Sequence, residues 1–195
     1  MTAPTKSTII YILMEEYFIG IDYGETKIAV AASKKDCHII EKLVIPSDIN
    51  RRVEVTMEAV EQLIEKANLI PSDVLAFGLG APWLMVQSTG RTLGEHIKEE
   101  LEQKYKKPVE RDNDSNVAAY GEYRFGAGRG HQNILYLTIS TGIGAGIITN
   151  GKIYSGARGR AGFAGHISLD PDGPACACGL KGCFHIMASG TSVVR

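Results

Sequence analysis

Apolar and polar positions follow one another along this chain in a regular order. The runs "YFIGIDYG" and "TKIAVAAS" are apolar and rich in β-formers, with Gly24 and Glu25 between them, which predicts a strand, a tight turn and a second strand. "CHIIEKLVI" follows as a third, giving an antiparallel meander in which Cys37 is most simply a strand residue. Between Arg51 and Asn68 the positions Val53, Met57, Val60, Ile64 and Ala67 recur at steps of three and four, the period of an amphipathic helix. Pro71 and Ser72 punctuate its end. "VLAFGLGAP" is a continuous apolar strand entering a Gly and Pro turn, and "TLGEHIKEELEQKYK" is a second helical pattern. After Pro108, a short strand "VERDND" leads into a helix through "NVAAYGEYRFG" that Asp114 or Ser115 is placed to cap.

Strands and helices alternate, so the chain is α/β. The Gly-rich stretch 126–133, "GAGRGHQN", lies between two periodic segments and is the expected border between a domain at 17–130 and a second at 131–195. Beyond it "ILYLTIS", the turn "TGIGAG" and the strand "GIITNGKIYSG" repeat the opening order, with Asn150 and Gly151 as a hairpin signal. Residues 1–16 read as a leader or a disordered tail. The apolar patch Ile9 to Met14 in it is shorter than a signal-peptide core and far shorter than a membrane span. A cytoplasmic protein with no membrane partner is expected.

Composition sharpens this only a little. The chain has 195 residues, 44% of them hydrophobic and 22% charged, an ordinary globular balance with enough length for one large domain or two small ones. The formal net charge is -1, with Lys and Arg interspersed among Glu and Asp. A basic face for nucleic acid is therefore missing, and no nucleic-acid partner is expected.

The candidate chemistry sits in three places. In "GHISLDPDGPACACGLKGC", residues 165–183, are three of the four cysteines and one of the five histidines, in a stretch too rich in Gly, Pro and Asp to pack as helix or strand. His166, Cys176, Cys178 and Cys183 supply one imidazole and three thiolates, the tetrahedral set that suits structural zinc. Gly179 and Gly182 let the backbone turn tightly enough to bring the sulfurs to one point. The alternative is a group of reduced, unligated cysteines; redox chemistry is disfavoured because there is no CxxC.

In "GIDYGETKIA", Asp22 ends a strand ahead of a turn with Gly24, Thr26 and Lys27. Such turns aim N–H groups at phosphate oxygens, and a carboxylate beside them can hold the Mg2+ of a nucleotide. "STGIGAGI" offers a second turn with Thr141, Gly142, Gly144 and Gly146. Either alone is also what an ordinary hairpin contains; one at the start of each half is what a split phosphate clamp requires. In "RDNDSN", Asn113 and Asp114 stand where a strand runs into a helix. The commoner use of such residues is an N-cap, and the sharper one is a general base for an attacking sugar hydroxyl.

Taken in order, DxGxTK, "GLGAP", NDxN, TGxGxG, AGxxGH and CxCGxxGC resemble the ROK family of sugar kinases and related repressors, within the actin-like ATPase superfamily, from about Tyr17 to Arg195. The resemblance implies an actin-like ATPase (ribonuclease H-like) fold with its first domain complete and its second partial. It implies Asp114 as catalytic base, Asn113, Asp114 and His166 as sugar contacts, and Asp22 to Ala29 and Gly142 to Thr149 as the two phosphate segments. It also implies a structural zinc on His166, Cys176, Cys178 and Cys183 that supports the sugar pocket. The expected function is an ATP-dependent hexose kinase with sugar and MgATP as its small-molecule partners, possible as a homo-oligomer.

The chain departs from the pattern in several places. AGExGH reads "AGFAGH", so Phe163 replaces a sugar-binding Glu; GCxE reads "GCFH", so His185 replaces another; and Glu25 stands where the first phosphate turn usually has a second Gly. The segment between "GLGAP" and "RDNDSN" is compact where the family has a longer loop, and the chain stops at "ASGTSVVR" where the family continues. No winged or helix-turn-helix region precedes the kinase-like part, which disfavours the repressor branch. These departures support an alternative, a catalytically weak or inactive sugar-binding or regulatory protein. A third reading is a fragment whose bare apolar second-domain face favours self-association.

Overall fold

A computed structural model of the chain describes residues 16–194; the Ile9 to Met14 patch and all but the last residue of the expected leader or tail lie outside them. The chain folds as two compact units, one ending at Arg111 and the other beginning at Asp112.

In the first unit the meander forms as expected: β1 (Tyr17–Tyr23), β2 (Lys27–Lys34) and β3 (Ile39–Pro46) pair antiparallel in sequence. Register follows from burial. Ile19, Ile21 and Tyr23 are buried opposite Ala32, Val30 and Ile28, so one face of the ribbon is apolar and a slip of one residue would turn that set to water. The third strand starts later than its sequence suggested. Cys37 lies in the β2–β3 turn with φ 66 and its N–H on Lys34 O, an exposed turn residue and not a strand residue.

Helix α1 (Arg52–Lys66) then crosses over, so that β4 (Val74–Gly80) pairs parallel to β1, a connection that needs at least a dozen residues. The short strands β5 (Met85–Val86) and β6 (Arg91–Thr92) form a small hairpin, helix α2 (Leu93–Tyr105) follows, and β7 (Val109–Asp112) completes the sheet order β3-β2-β1-β4-β7. Val55, Ala59, Val60 and Leu63 of α1, with Leu93, Ile97 and Leu101 of α2, fall on the core side, the stripe their periodicity required. A capping box starts α2: Thr92 Oγ1 accepts from Glu95 N–H, and Glu95 Oε2 accepts from Thr92 N–H at 2.6 Å.

The second unit opens with α3 (Asp114–Phe125), then β8 (Ile134–Ile139), β9 (Ile143–Thr149) and β10 (Lys152–Ile153) in the order β10-β9-β8. Asn150 and Gly151 both have positive φ, 51 and 74, the conformation a two-residue hairpin turn needs between β9 and β10. Short pieces finish the unit: a 3-10 turn at Ala164–His166, α4 (Phe184–Ala188) and α5 (Gly190–Val193). Because α3 packs on β8 and β9, it belongs with them, and the Gly-rich stretch 126–133 is a connection inside this unit. The β8–β9 turn is shorter than "TGIGAG". Ile139 pairs with Ile143, so Ser140 to Gly142 make the turn and Gly144 and Gly146 are strand residues.

Those two glycines face α3. A Cβ on Gly144 would sit 2.5 Å from Ser115 Oγ; one on Gly146 would overlap Ser115 O and approach Ala119 Cβ to 2.5 Å. The helix lies so close to the strand that only Ser115 and Ala119 fit against it, and neither strand position has room for a side chain. Among the described residues no helix is long and apolar enough to cross a membrane.

Gly146→Ala is expected to destabilise the protein by about 1–3 kcal/mol through overpacking. Gly121→Ala, on α3 where a Cβ meets nothing within 4 Å, is expected to stabilise it by about 0.5–1 kcal/mol. Paired denaturant melts check both signs.

Candidate functional site

The first unit contributes the turn after β1. Asp22 is the next-to-last residue of that strand, beside Ala29 of β2 and Gly80 of β4. Gly24 N–H donates to Lys27 O at 2.9 Å, and a Cβ there would lie 2.8 Å from the same oxygen, so the turn closes only around glycine. Ser47 braces it from β3's end, its N–H on Thr26 O and its hydroxyl on Glu25 O. The Asp22 side chain reaches solvent, yet desolvation by the protein around it holds its carboxyl above the usual range, more than the Lys27 ammonium lowers it. Nearby positive charge would be favourable there.

The strand "VERDND" ends at Asp112, where the second unit begins, and the cap of α3 is neither Asp114 nor Ser115. Asn113, with extended backbone, is the N-cap, its Oδ1 accepting from Ser115 N–H at 3.1 Å. Asp112 Oδ1 in turn accepts from Asn113 N–H at 2.6 Å and from Asn116 Nδ2 at 3.0 Å. Asp114 is thus the first helical residue, half-buried, with Oδ1 accepting from Ser115 N–H at 2.9 Å. Asn113 and Asp114 thus both accept from the Ser115 N–H at the start of the helix.

The four expected metal ligands come together. One donor atom from each of His166, Cys176, Cys178 and Cys183 lies within 4.8 Å of the others. His166 Nδ1 is 3.7 Å from Cys176 Sγ, and the Cys178 and Cys183 sulfurs are 3.5 Å apart. Tetrahedral zinc sets roughly 3.8 Å between sulfurs and roughly 3.6 Å between sulfur and nitrogen, so these pairs already stand at the edges of such a tetrahedron. All three cysteines are free thiols.

Tight local turns make this possible. Cys176 N–H bonds to Leu180 O at 2.8 Å and Gly179 N–H to Cys176 O at 3.0 Å. Ser168 bridges to Cys183, and Gly182 takes φ 56 where a Cβ would overlap Asp170 O. The donor set also argues for a cation. The Leu180 N–H holds the Cys178 thiol below its ordinary value, while burial, with the Cys178 and Cys176 sulfurs beside it, pushes Cys183 up to about 12. Three thiolates share this space comfortably only around positive charge.

Phe163 and His185, the two departures from the sugar-binding pattern, flank His166, with ring centroids 6.5 and 6.2 Å away. His185 Nδ1 accepts from Ile143 N–H at 3.3 Å. No local pattern pointed to that contact, because its partners are 42 residues apart. Thr141 and Gly142 are in the β8–β9 turn, whereas Gly144 and Gly146 lie under α3.

The ROK family profile matches residues 18–195. The glucokinase of Halalkalibacterium halodurans is 36% identical over 196 residues, covering 94% of this chain and 59% of that relative. The xylose repressor of Bacillus subtilis is 43% identical over 99 residues, 51% of this chain and 26% of that protein. A solved ROK family glucokinase from Streptomyces griseus, in complex with glucose and AMPPNP, superposes with a TM-score of 0.78 at 36% identity, over 92% of this chain and 59% of that one. The architecture is the actin-like ATPase fold of such glucokinases. The chain spans 59% of the length of each of these glucokinases.

Metal analysis of the purified protein is expected to give about one equivalent of zinc per chain, and Cys183→Ser to lose most of it. Less than about half an equivalent in the unaltered protein would mean that the four donors are simply thiols and an imidazole.

Proposed function

The chain belongs to the ROK family, and on that footing we propose that it is an ATP-dependent sugar kinase, moving the γ-phosphoryl of MgATP to a hydroxyl of a hexose. The observation that carries this reading is the arrangement at the start of α3. Asn113 is the N-cap and Asp114 the first helical residue, half-buried at the strand-to-helix junction, where its carboxylate shares the Ser115 N–H with the Asn113 side chain.

Asp114 takes the proton of the acceptor hydroxyl as that oxygen attacks the γ-phosphorus; the bond from phosphorus to the bridging oxygen breaks, and ADP leaves. Asn113 and His166 contact the sugar in this reading. With Nδ1 facing Cys176, the imidazole has its second nitrogen for another partner. Asp22, Gly24, Thr26 and Lys27 in the first unit, and Thr141 and Gly142 in the second, would bind phosphate, with the Asp22 carboxylate the group that would hold the accompanying Mg2+. Gly144 and Gly146 serve the same end differently, by letting α3 rest on β9. Zinc, held by His166, Cys176, Cys178 and Cys183, would supply structural cross-linking and charge neutralisation. The same reading makes the protein cytoplasmic, with small-molecule partners only and a homo-oligomeric state open to it.

A second reading has specific support. Phe163 and His185 remove two carboxylate acceptors beside His166, and hydrogen bonds to hydroxyls decide which sugar a pocket admits. A sugar-binding or regulatory protein with little or no kinase activity would have such a pocket.

A coupled assay over a panel of hexoses separates the two. Kinase activity is expected for at least one sugar, and Asp114→Asn is expected to lower kcat by about 10²–10⁴-fold while zinc content and melting temperature stay put. ADP release that survives the substitution would remove Asp114 as the base. Sugar binding with no ADP release in the unaltered protein would establish the second reading.

A further inference from the structure

The turn from Ser140 to Gly142 is held from outside its own hairpin by one short segment. Gly190 N–H donates to Ser140 O at 2.7 Å, Thr191 Oγ1 donates to Thr141 O at 2.9 Å, and His185 Nδ1 accepts from Ile143 N–H. Two successive backbone positions and the start of β9 are thus each tied to residues 185–191. The approach is close as well as polar. A Cβ on Gly190 would lie 2.7 Å from Ser140 O, and one on Gly142 would lie 3.1 Å from the His185 ring.

The same segment is rooted in the metal centre. Cys183 is the N-cap of α4, and Phe184 N–H bonds to Ile167 O at 2.9 Å, next to His166. Gly165, on the other side of His166, would overlap Ile143 O with any Cβ and would meet His185 Cβ at 3.2 Å. Within the segment, the fully buried Ser189 hydroxyl pairs with Thr191 Oγ1 and Ser192 Oγ at 3.0 Å each, and Ser192 Oγ donates to His185 O. The segment is therefore stiff, but its helices are of five and four residues, far too short to persist unaided. The loop that anchors it has little apolar burial: Ile167, Leu169 and Leu180 are 59%, 59% and 52% exposed. What that loop has instead are its backbone turns and four convergent donors.

We infer that residues 185–191 are a strut through which the metal centre fixes the Ser140–Ile143 turn. Filling the centre orders the turn, and emptying it loosens the turn while α3 and the sheet stay folded. His185 and Thr191 are positioning residues in this arrangement. Its consequence for nucleotide binding rests on the reading of Thr141 and Gly142 as phosphate contacts; its consequence for the turn does not.

Amide hydrogen exchange without nucleotide tests the strut directly. Chelation of the zinc-loaded protein is expected to speed exchange in peptides covering 139–145 and 184–192 by more than about tenfold, with α3 peptides changed by less than about twofold. In the zinc-loaded protein, Thr191→Val and His185→Ala are each expected to speed exchange at 139–145 by about fivefold with zinc retained. His185→Gln, whose amide oxygen can accept from Ile143 N–H, is expected to stay near the unaltered protein. Unchanged turn exchange in both loaded variants overturns the strut, including the case where chelation unfolds the whole unit. ADP binding supplies the second arm. A looser turn with unchanged ADP affinity supports the strut and counts against the phosphate role of Thr141 and Gly142. Weaker ADP binding with an unloosened turn overturns the strut.

Discussion

Strand β9 has main chain against it from two directions, and only glycine leaves the room. On its face, Gly144 and Gly146 lie beneath the first turns of α3. Beyond the short reach of β10, the segment before His166 runs alongside, with Ala145 N–H on Gly162 O at 2.8 Å and Gly162 at φ 91 where a Cβ would overlap Ala145 O. A protein interior tolerates little overpacking, so these positions do not accept larger residues without moving what they support. What they support is the candidate chemistry: α3 carries Asn113 and Asp114, and the neighbouring segment carries His166 into the cluster with Cys176, Cys178 and Cys183.

The two units solve the problem of stability differently. The first buries a continuous apolar core between its sheet and two amphipathic helices, from Ile19 through Val109. The second has few buried apolar side chains among the described residues, chiefly Ala119, Ile143, Ala145 and Ile148, with Cys176 and Cys183 among the rest. A loop of this length with exposed leucine and isoleucine cannot be ordered by hydrophobic burial alone. Backbone turns and four convergent donors take its place, and the segment that leaves Cys183 reaches the β8–β9 turn.

Electrostatics follows the same division. Asp22 is kept above its normal range by desolvation and eased by Lys27, and three cysteine sulfurs crowd one another beside an imidazole. Both are places where a cation relieves an existing strain in charge. Around His166 the pattern has changed sign in another sense: an aromatic ring and an imidazole, one nitrogen of which already binds the backbone of Ile143, stand where the family has carboxylates.

Much of the architecture was visible in the chain itself, because it depends on neighbours in sequence. The meander, the period of α1, the Asn150 and Gly151 hairpin and the grouping of His166 with three cysteines all rest on local spacing, backbone preference or ligand chemistry. The family followed from motifs whose order along the chain is itself a sequence property. Tertiary structure decided the rest. Gly144 and Gly146 look the same in sequence whether a glycine serves a turn or a helix lying on a strand. Asn113 and not its neighbour became the cap through backbone angles that no residue type specifies alone. Cys37 passed from strand to turn, α3 joined the sheet that follows it, and His185 and Thr191 met a turn 42 and 50 residues away. Contacts at such separations depend on how whole elements pack, and no spacing within a window records them.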